Sequence, residues 1–156
     1  MHNTDRSAPP SYRERLSPSL WLLVSAAVCA PMAAVAFAPI DTTLALVVGL
    51  AVGVGLVSAL IAGAPVVSVS DGELRVGRAH IAVSDLGEPE ILAGEAARAA
   101  RGSDLRRDDW HLLRGGIDGV VRVPVADEDD PTARWVFSSR TPERVAAMIT
   151  RAQRGR

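Results

Sequence analysis

The chain has 156 residues and a mass of 16.4 kDa, room for one ordinary domain and something small beside it. Hydrophobic residues make up 48% of it and aromatics only 4%, and no charge falls between Arg15 and Asp41 or between Asp41 and Asp71, which excludes an ordinary soluble globule. All 17 basic residues are Arg, so every chemistry that needs a Lys is absent, from phosphate-loop cradles to Schiff bases.

Residues 1–18 read as a flexible cytoplasmic tail, with Tyr12 to Ser17 as a polar lead into the membrane. Arg13 and Arg15 ahead of an apolar stretch imitate a secretory signal, with Ala36-Phe37-Ala38 where a peptidase would cut. Pro39 directly after that position, and a second apolar run behind it, favour retention as a membrane span. The first span is predicted at about 20–38 and the second at about 43–63, each near the ~20 helical residues that cross a bilayer. The turn Pro39-Ile40-Asp41-Thr42 is short enough to make the two helices of this 19–64 segment antiparallel neighbours. Trp21 lies at the headgroup boundary that indoles prefer, and Pro31 removes one backbone bond from the first helix. Cys29 is the only cysteine and sits within the first span as a small hydrophobe; Val28 and Ala26 do not fit the pattern before a lipid-modified cysteine.

Small residues recur every four positions in both spans: Ala26, Ala30, Ala34 and Ala38, then Ala45, Gly49 and Gly53. That spacing stacks them on one helix face, so these stripes are expected to pack against each other or against a second copy, giving a homodimer. No ionisable group lies inside either run, which argues against a transport path. Arg6, Arg13 and Arg15 precede the spans, Arg75 and Arg78 follow them, and only Asp41 lies between, so both termini are expected in the cytoplasm at the inner membrane. Arg13, Arg15, Arg75 and Arg78 are also placed to touch anionic headgroups.

From Pro65 the period changes to two. Val67 and Val69, then Leu74 and Val76, flank Asp71-Gly72 and predict a β-hairpin whose central residues have positive φ. Ala79 to Leu86 reads as a third strand, Glu90 to Ala93 as a short fourth, and Gly94 to Arg101 as a short helix. Trp110 to Arg114 and Val120 to Val125 are two more strands joined through Gly115, Gly116 and Asp118-Gly119, and Arg134 to Ser138 is the last. Thr141 as N-cap and Pro142 at the first helical position open an amphipathic helix over 142–154, with Val145, Met148, Ile149 and Ala152 on one face. The fold class is therefore a membrane α-helical hairpin plus an α+β soluble domain over 65–156, a small antiparallel sheet or barrel with a C-terminal helix. This last arrangement resembles the bacterial pleckstrin-homology-like barrel.

Several short stretches together resemble a family of small actinobacterial membrane proteins called domain of unknown function 3093. They are Tyr12-Arg13-Glu14-Arg15-Leu16, Pro65-Val66 leading to Asp71-Gly72-Glu73-Leu74, Val76-Gly77-Arg78-Ala79, Leu113-Arg114-Gly115 and Trp135-Val136-Phe137-Ser138-Ser139-Arg140. The resemblance implies two spans and a small cytoplasmic domain, and no catalytic residue comes with it. The high-GC genome it implies accounts for Arg in place of Lys.

Net charge is −1, and the part after the second span holds 14 Arg against 15 acids, so nucleic acid is not an expected partner. His80 and His111 have no second ligand at metal spacing, and Asp127-Glu128-Asp129-Asp130 lacks the alternation and Gly of a calcium loop. Gly115 to Gly119 lacks the Lys and helix of a phosphate cradle. No nucleophile elbow or paired metal-binding histidines are present, so no cofactor, metal or catalytic residue is assigned. Trp110 and Trp135 are the domain's rare aromatics, core residues first and partner contacts second. The expected function is a non-enzymatic membrane-anchored module that binds another protein. An anionic-lipid sensor is the alternative, and an enzyme with an unrecognised site the third reading.

Overall fold

The computed structural model describes residues 11–155, which fall into two compact units: the segment 17–64, and a second unit that joins residues up to Leu16 with those from Pro65 onward. The expected flexible tail over the first ten residues lies outside the described residues.

The 17–64 unit is a pair of helices, α1 (Leu20–Phe37) and α2 (Thr42–Ala62), both long and apolar enough to cross a membrane. Each is opened by the residue type that helix starts demand. Ser19 accepts the Leu22 N–H at 3.3 Å, and the Asp41 carboxylate accepts the Leu44 N–H at 2.8 Å. The one charge between the two apolar runs is thus the cap of α2. α1 continues through Pro31. Among the described residues, every large apolar side chain left exposed, Ile91 apart, belongs to this segment, which is the opposite of a buried core helix. Where the two helices meet, Gly49 and Gly53 lie against Ala30 and Ala34: a Cβ on Gly49 would stand 2.8 Å from both Ala30 O and Ala34 Cβ.

Among the described residues the other unit carries eight strands and two α-helices. A four-stranded antiparallel sheet runs in the order β1 (Tyr12–Arg15), β2 (Val66–Ser70), β3 (Glu73–Val76), β4 (Ala79–Ala82). A second sheet has the order β5-β7-β8-β6, from β5 (Glu90–Leu92), β6 (Asp109–Leu112), β7 (Val120–Pro124) and β8 (Arg134–Ser138). α3 (Gly94–Arg101) follows β5, and α4 (Pro142–Arg154) ends the described chain. The β2–β3 turn has φ of 53° at Asp71 and 75° at Gly72, as Asp-Gly dictates.

The largest departure from the sequence reading is β1. Tyr12 to Arg15, expected to lead into the membrane, instead pairs antiparallel with β2. Its alternation is only four residues long and three of them are charged, so pattern alone does not mark it; Tyr12 packs on the core, and Leu16 is fully buried. The third strand also ends early, at Ala82, because Val83 to Asp85 turn through a 3-10 helix that buries Val83 and carries Leu86 to an isolated bridge with Val125. The second sheet is not purely antiparallel. β6 does not pair with β7 but lies parallel to β8, Trp110 beside Trp135.

One core joins both sheets and α4. Leu16, Val67, Leu74 and Val76 from the first sheet meet Val121, Val123 and Phe137 from the second, with Val145 and Ile149 of α4 against them. Each fully buried side chain of this size contributes about 1.5–3 kcal/mol relative to exposure. A smaller cluster of Leu92, Ala97, Ala100, Val120 and Val136 puts α3 on the other side of the second sheet. Both faces of β8 are therefore covered, and Trp135, Val136, Phe137 and Ser138 are buried in succession.

Gly49→Ala is expected to overpack the helix pair at a cost of about 1–3 kcal/mol, less the gain in helix propensity. Gly55→Ala receives the same propensity gain with nothing within 4 Å of the new Cβ. Denaturation midpoints of the two variants in mild detergent check this: Gly55→Ala at or above the parent, Gly49→Ala below it.

Candidate functional site

The alternation of the first sheet sends one set of side chains to the core and the other to solvent. Tyr12, Val69, Leu74 and Ile81 form an inward row, and the next row on the outside aligns Arg13, Ser68, Arg75 and His80 across all four strands. Arg15 stands at the next outward position along β1, in register with Val66, and Arg78 is in the β3–β4 turn, exposed. The four arginines singled out in the sequence thus belong to one sheet. Arg75 Nε donates to Glu73 Oε2 at 2.6 Å, with His80 Nε2 3.9 Å from the other carboxylate oxygen. A groove of about 350 Å³ runs along this face, lined by Ser11, Arg13, Ser68, Ser70 and Arg75 among others.

The inward edge of β1 carries a polar cluster that no sequence motif announces. Glu14 Oε2 accepts the hydroxyls of Tyr12 and Ser139, each at 2.6 Å, and Oε1 accepts the Arg140 N–H at 2.7 Å. Because the Tyr12 proton goes to Glu14, the Thr141 hydroxyl donates to the Tyr12 oxygen across 2.7 Å. Thr141 is the N-cap of α4 by position, yet its side chain does not cap the helix; it serves this cluster instead. Burial pushes the Tyr12 phenol above its usual value, and the hydrogen bond to the Glu14 carboxylate adds to that. Two of the stretches that carry the family resemblance, one around Glu14 and one around Ser139, meet here although 125 residues separate them.

At the far end of the second sheet Arg134 grips Asp109 in a fork, Nε to Oδ1 at 2.8 Å and Nη2 to Oδ2 at 2.6 Å, while the Arg106 N–H donates to Oδ2 at 2.9 Å. Burial alone would raise the Asp109 carboxyl; the Arg134 hydrogen bonds, the Arg106 N–H and the attraction of both charges outweigh it and hold the group below its usual range. Beside this pair Trp110 stacks on Trp135 with ring centroids 4.2 Å apart. Trp135 is only 4% exposed, so of the two tryptophans considered as partner contacts only half-buried Trp110 retains surface.

The remaining sequence candidates lie in the helix pair, where Ala26, Ala30 and Ala34 are half-buried, Gly49 is buried, and Trp21 is 82% exposed. Among the described residues no group of three or more His, Cys, Asp or Glu side chains is arranged to hold a metal ion. Asp127 and Asp130 accept the backbone N–H groups of Asp129 and Thr132, turn chemistry of their own.

A family model described as "Protein of unknown function (DUF3093)" matches residues 11–149, that is from β1 well into α4. The chain belongs to this family. The DUF3093 match covers both units and begins where the first strand does, so β1, the helix pair and the β domain are one family unit. No curated protein and no solved structure matches the chain.

Two substitutions weigh these polar groups. Glu14→Gln halves the acceptor capacity facing three donors and is expected to cost about 1–3 kcal/mol, read as a lower midpoint for loss of the tryptophan near-UV signal in detergent. Asp109→Asn is expected to cost about 3 kcal/mol at neutral pH, the low end for removing one partner of a buried pair because the Arg134 side chain stays 19% exposed. A lowered carboxyl pKa gives stability above the unfolded value of ~3.9 that is lost as pH falls through the folded one, so the gap between parent and Asp109→Asn should close on acidification through and below that pH.

Proposed function

We propose that this DUF3093 protein is a non-enzymatic, membrane-anchored docking module. α1 and α2 cross the inner membrane as a hairpin, and the β domain, pleckstrin-homology-like in its small sheets and terminal helix, stands at the cytoplasmic face and binds another protein.

The observation that carries this reading is the pairing of β1 with β2. The chain leaves the β domain after Leu16 and returns at Pro65, and the Leu16 N–H donates to Pro65 O at 2.9 Å. Helices that begin and end at neighbouring strands of one domain must, if they cross a bilayer, leave both flanks on the same side. The arginines at 6, 13, 15, 75 and 78, against the single Asp41 in the turn, favour the cytoplasm for that side. Docking is supported by the sheet ends: among the described residues β4 and β6 each pair with a strand on one side alone, and an unpaired strand edge is a template for a strand from a partner. A second reading, recognition of anionic lipid beside the anchor, is favoured by the outward row of Arg13 and Arg75.

In a Cys29→Ala background, single cysteines at Ser11 and at Gln153 should both be shielded from an impermeant thiol reagent in intact cells and both react after lysis. Reaction of either one from outside would sink the topology. Proximity labelling from a tag fused after Arg156 should then recover a reproducible set of cytoplasm-facing membrane proteins; a profile no different from that of an unrelated anchored tag would remove the docking role.

A further inference from the structure

The outer face of the first sheet holds a basic groove, and its polar groups are under-used among the described residues. Arg13 makes no ion pair or side-chain hydrogen bond among the described residues, and neither do the hydroxyls of Ser68 and Ser70. Among the described residues Arg75 bonds Glu73 through Nε and makes no side-chain hydrogen bond through its terminal nitrogens. Among the described residues that line the groove there is no carboxylate; Glu73, on Arg75 Nε, is not one of them. The register sets Arg13 and Arg75 on either side of Ser68, two guanidinium groups flanking one hydroxyl on a rigid sheet. A guanidinium carries five donors in a planar fork and no acceptor, so the pair presents many N–H groups to one space, with the charge of Arg13 added to that of an Arg75 already shared with Glu73. The partner that satisfies such a set is a compact anion with several acceptor oxygens, and a phosphoryl group supplies them in directions two forks can share.

We infer that this groove binds a phosphoryl group, held between Arg13 and Arg75 with Ser68 beneath it. The inference deepens the lipid reading above and rests on it for the nearest source of the ligand. Arg13 is two positions from the end of β1, and α1 starts at Leu20, so the groove is a few residues of chain away from the anchor. A lipid headgroup and a soluble phosphorylated compound share this chemistry.

The test uses the full chain, labelled with 15N at arginine, in dodecyl maltoside micelles, which carry no phosphate. The Nε–H resonances of Arg13 and Arg75 are followed while inorganic phosphate is added in one arm and phosphatidic acid is doped into the micelles in the other. Both resonances should shift together and saturate in at least one arm. Arg13→Gln and Arg75→Gln should each weaken the response at least about tenfold, and Arg13→Lys, which keeps the charge but not the fork, should weaken it less. Saturation with phosphatidic acid alone identifies a lipid headgroup, and saturation with inorganic phosphate identifies a site open to soluble ligands. Absence of shifts, shifts that stay linear in both arms, or saturation that survives in both Gln variants overturns the inference. Both arginines are exposed, and an unchanged near-UV tryptophan signal verifies that the variants fold. Failure of the anchoring reading shows separately, as release of the chain from cell membranes by alkaline carbonate, and would leave the phosphate arm readable.

Discussion

Everything in the β domain depends on a strand that the chain makes before it makes either long helix. β1 supplies the edge of the first sheet, Leu16 fills the core beneath it, and Glu14 reaches the corner between β8 and α4. Removing that strand would uncover the β2 edge, empty a fully buried position, and leave the hydroxyl of buried Ser139 without its acceptor. The Glu14 cluster is a fastening at the point where two sheets and a helix converge, made of groups that each satisfy another.

The second sheet solves a different problem. β8 is buried on both faces and cannot alternate polar and apolar residues, so its sequence is a short apolar run, and its position between β7 and β6 is the centre of that sheet. Its parallel neighbour β6 is held at the end by the Asp109–Arg134 fork and along its length by the Trp110–Trp135 stack. A charge pair and an aromatic pair set in successive register positions fix which residues stand opposite each other, where a slip by one would reverse every side chain.

How much of this the sequence discloses follows from physical range. The two long helices, the Asp71-Gly72 hairpin and α4 are written in local signals: an unbroken apolar run, a dipeptide that tolerates positive φ, and a cap followed by a 3.6-residue period. β1 is not, since Tyr-Arg-Glu-Arg is a strand only because β2 lies beside it and Glu14 finds Ser139 more than a hundred residues away. The pairing of β6 with β8 in place of β7 is likewise a long-range choice that turn residues do not record. The outward arginine row was half legible: Arg13 and Arg75 stood out as charges flanking apolar runs, but their alignment across Ser68 needs the strand register. The Thr141 hydroxyl shows the limit from another side, since its position fits an N-cap and its bond goes to Tyr12.

The hydrogen bond between Leu16 and Pro65 has an architectural meaning. The residues at the two ends of the long-helix segment are already as close as the flanks of an ordinary hairpin loop. The long-helix segment is therefore an insertion into a loop of a β domain, placed where chains tolerate inserted material best. Cutting the protein at Pro65 would yield an incomplete domain, whereas excising residues 17–64 and closing the gap with a short turn would retain every strand. The helix pair and the β domain are separable, but only along a line that the linear order of the sequence does not draw.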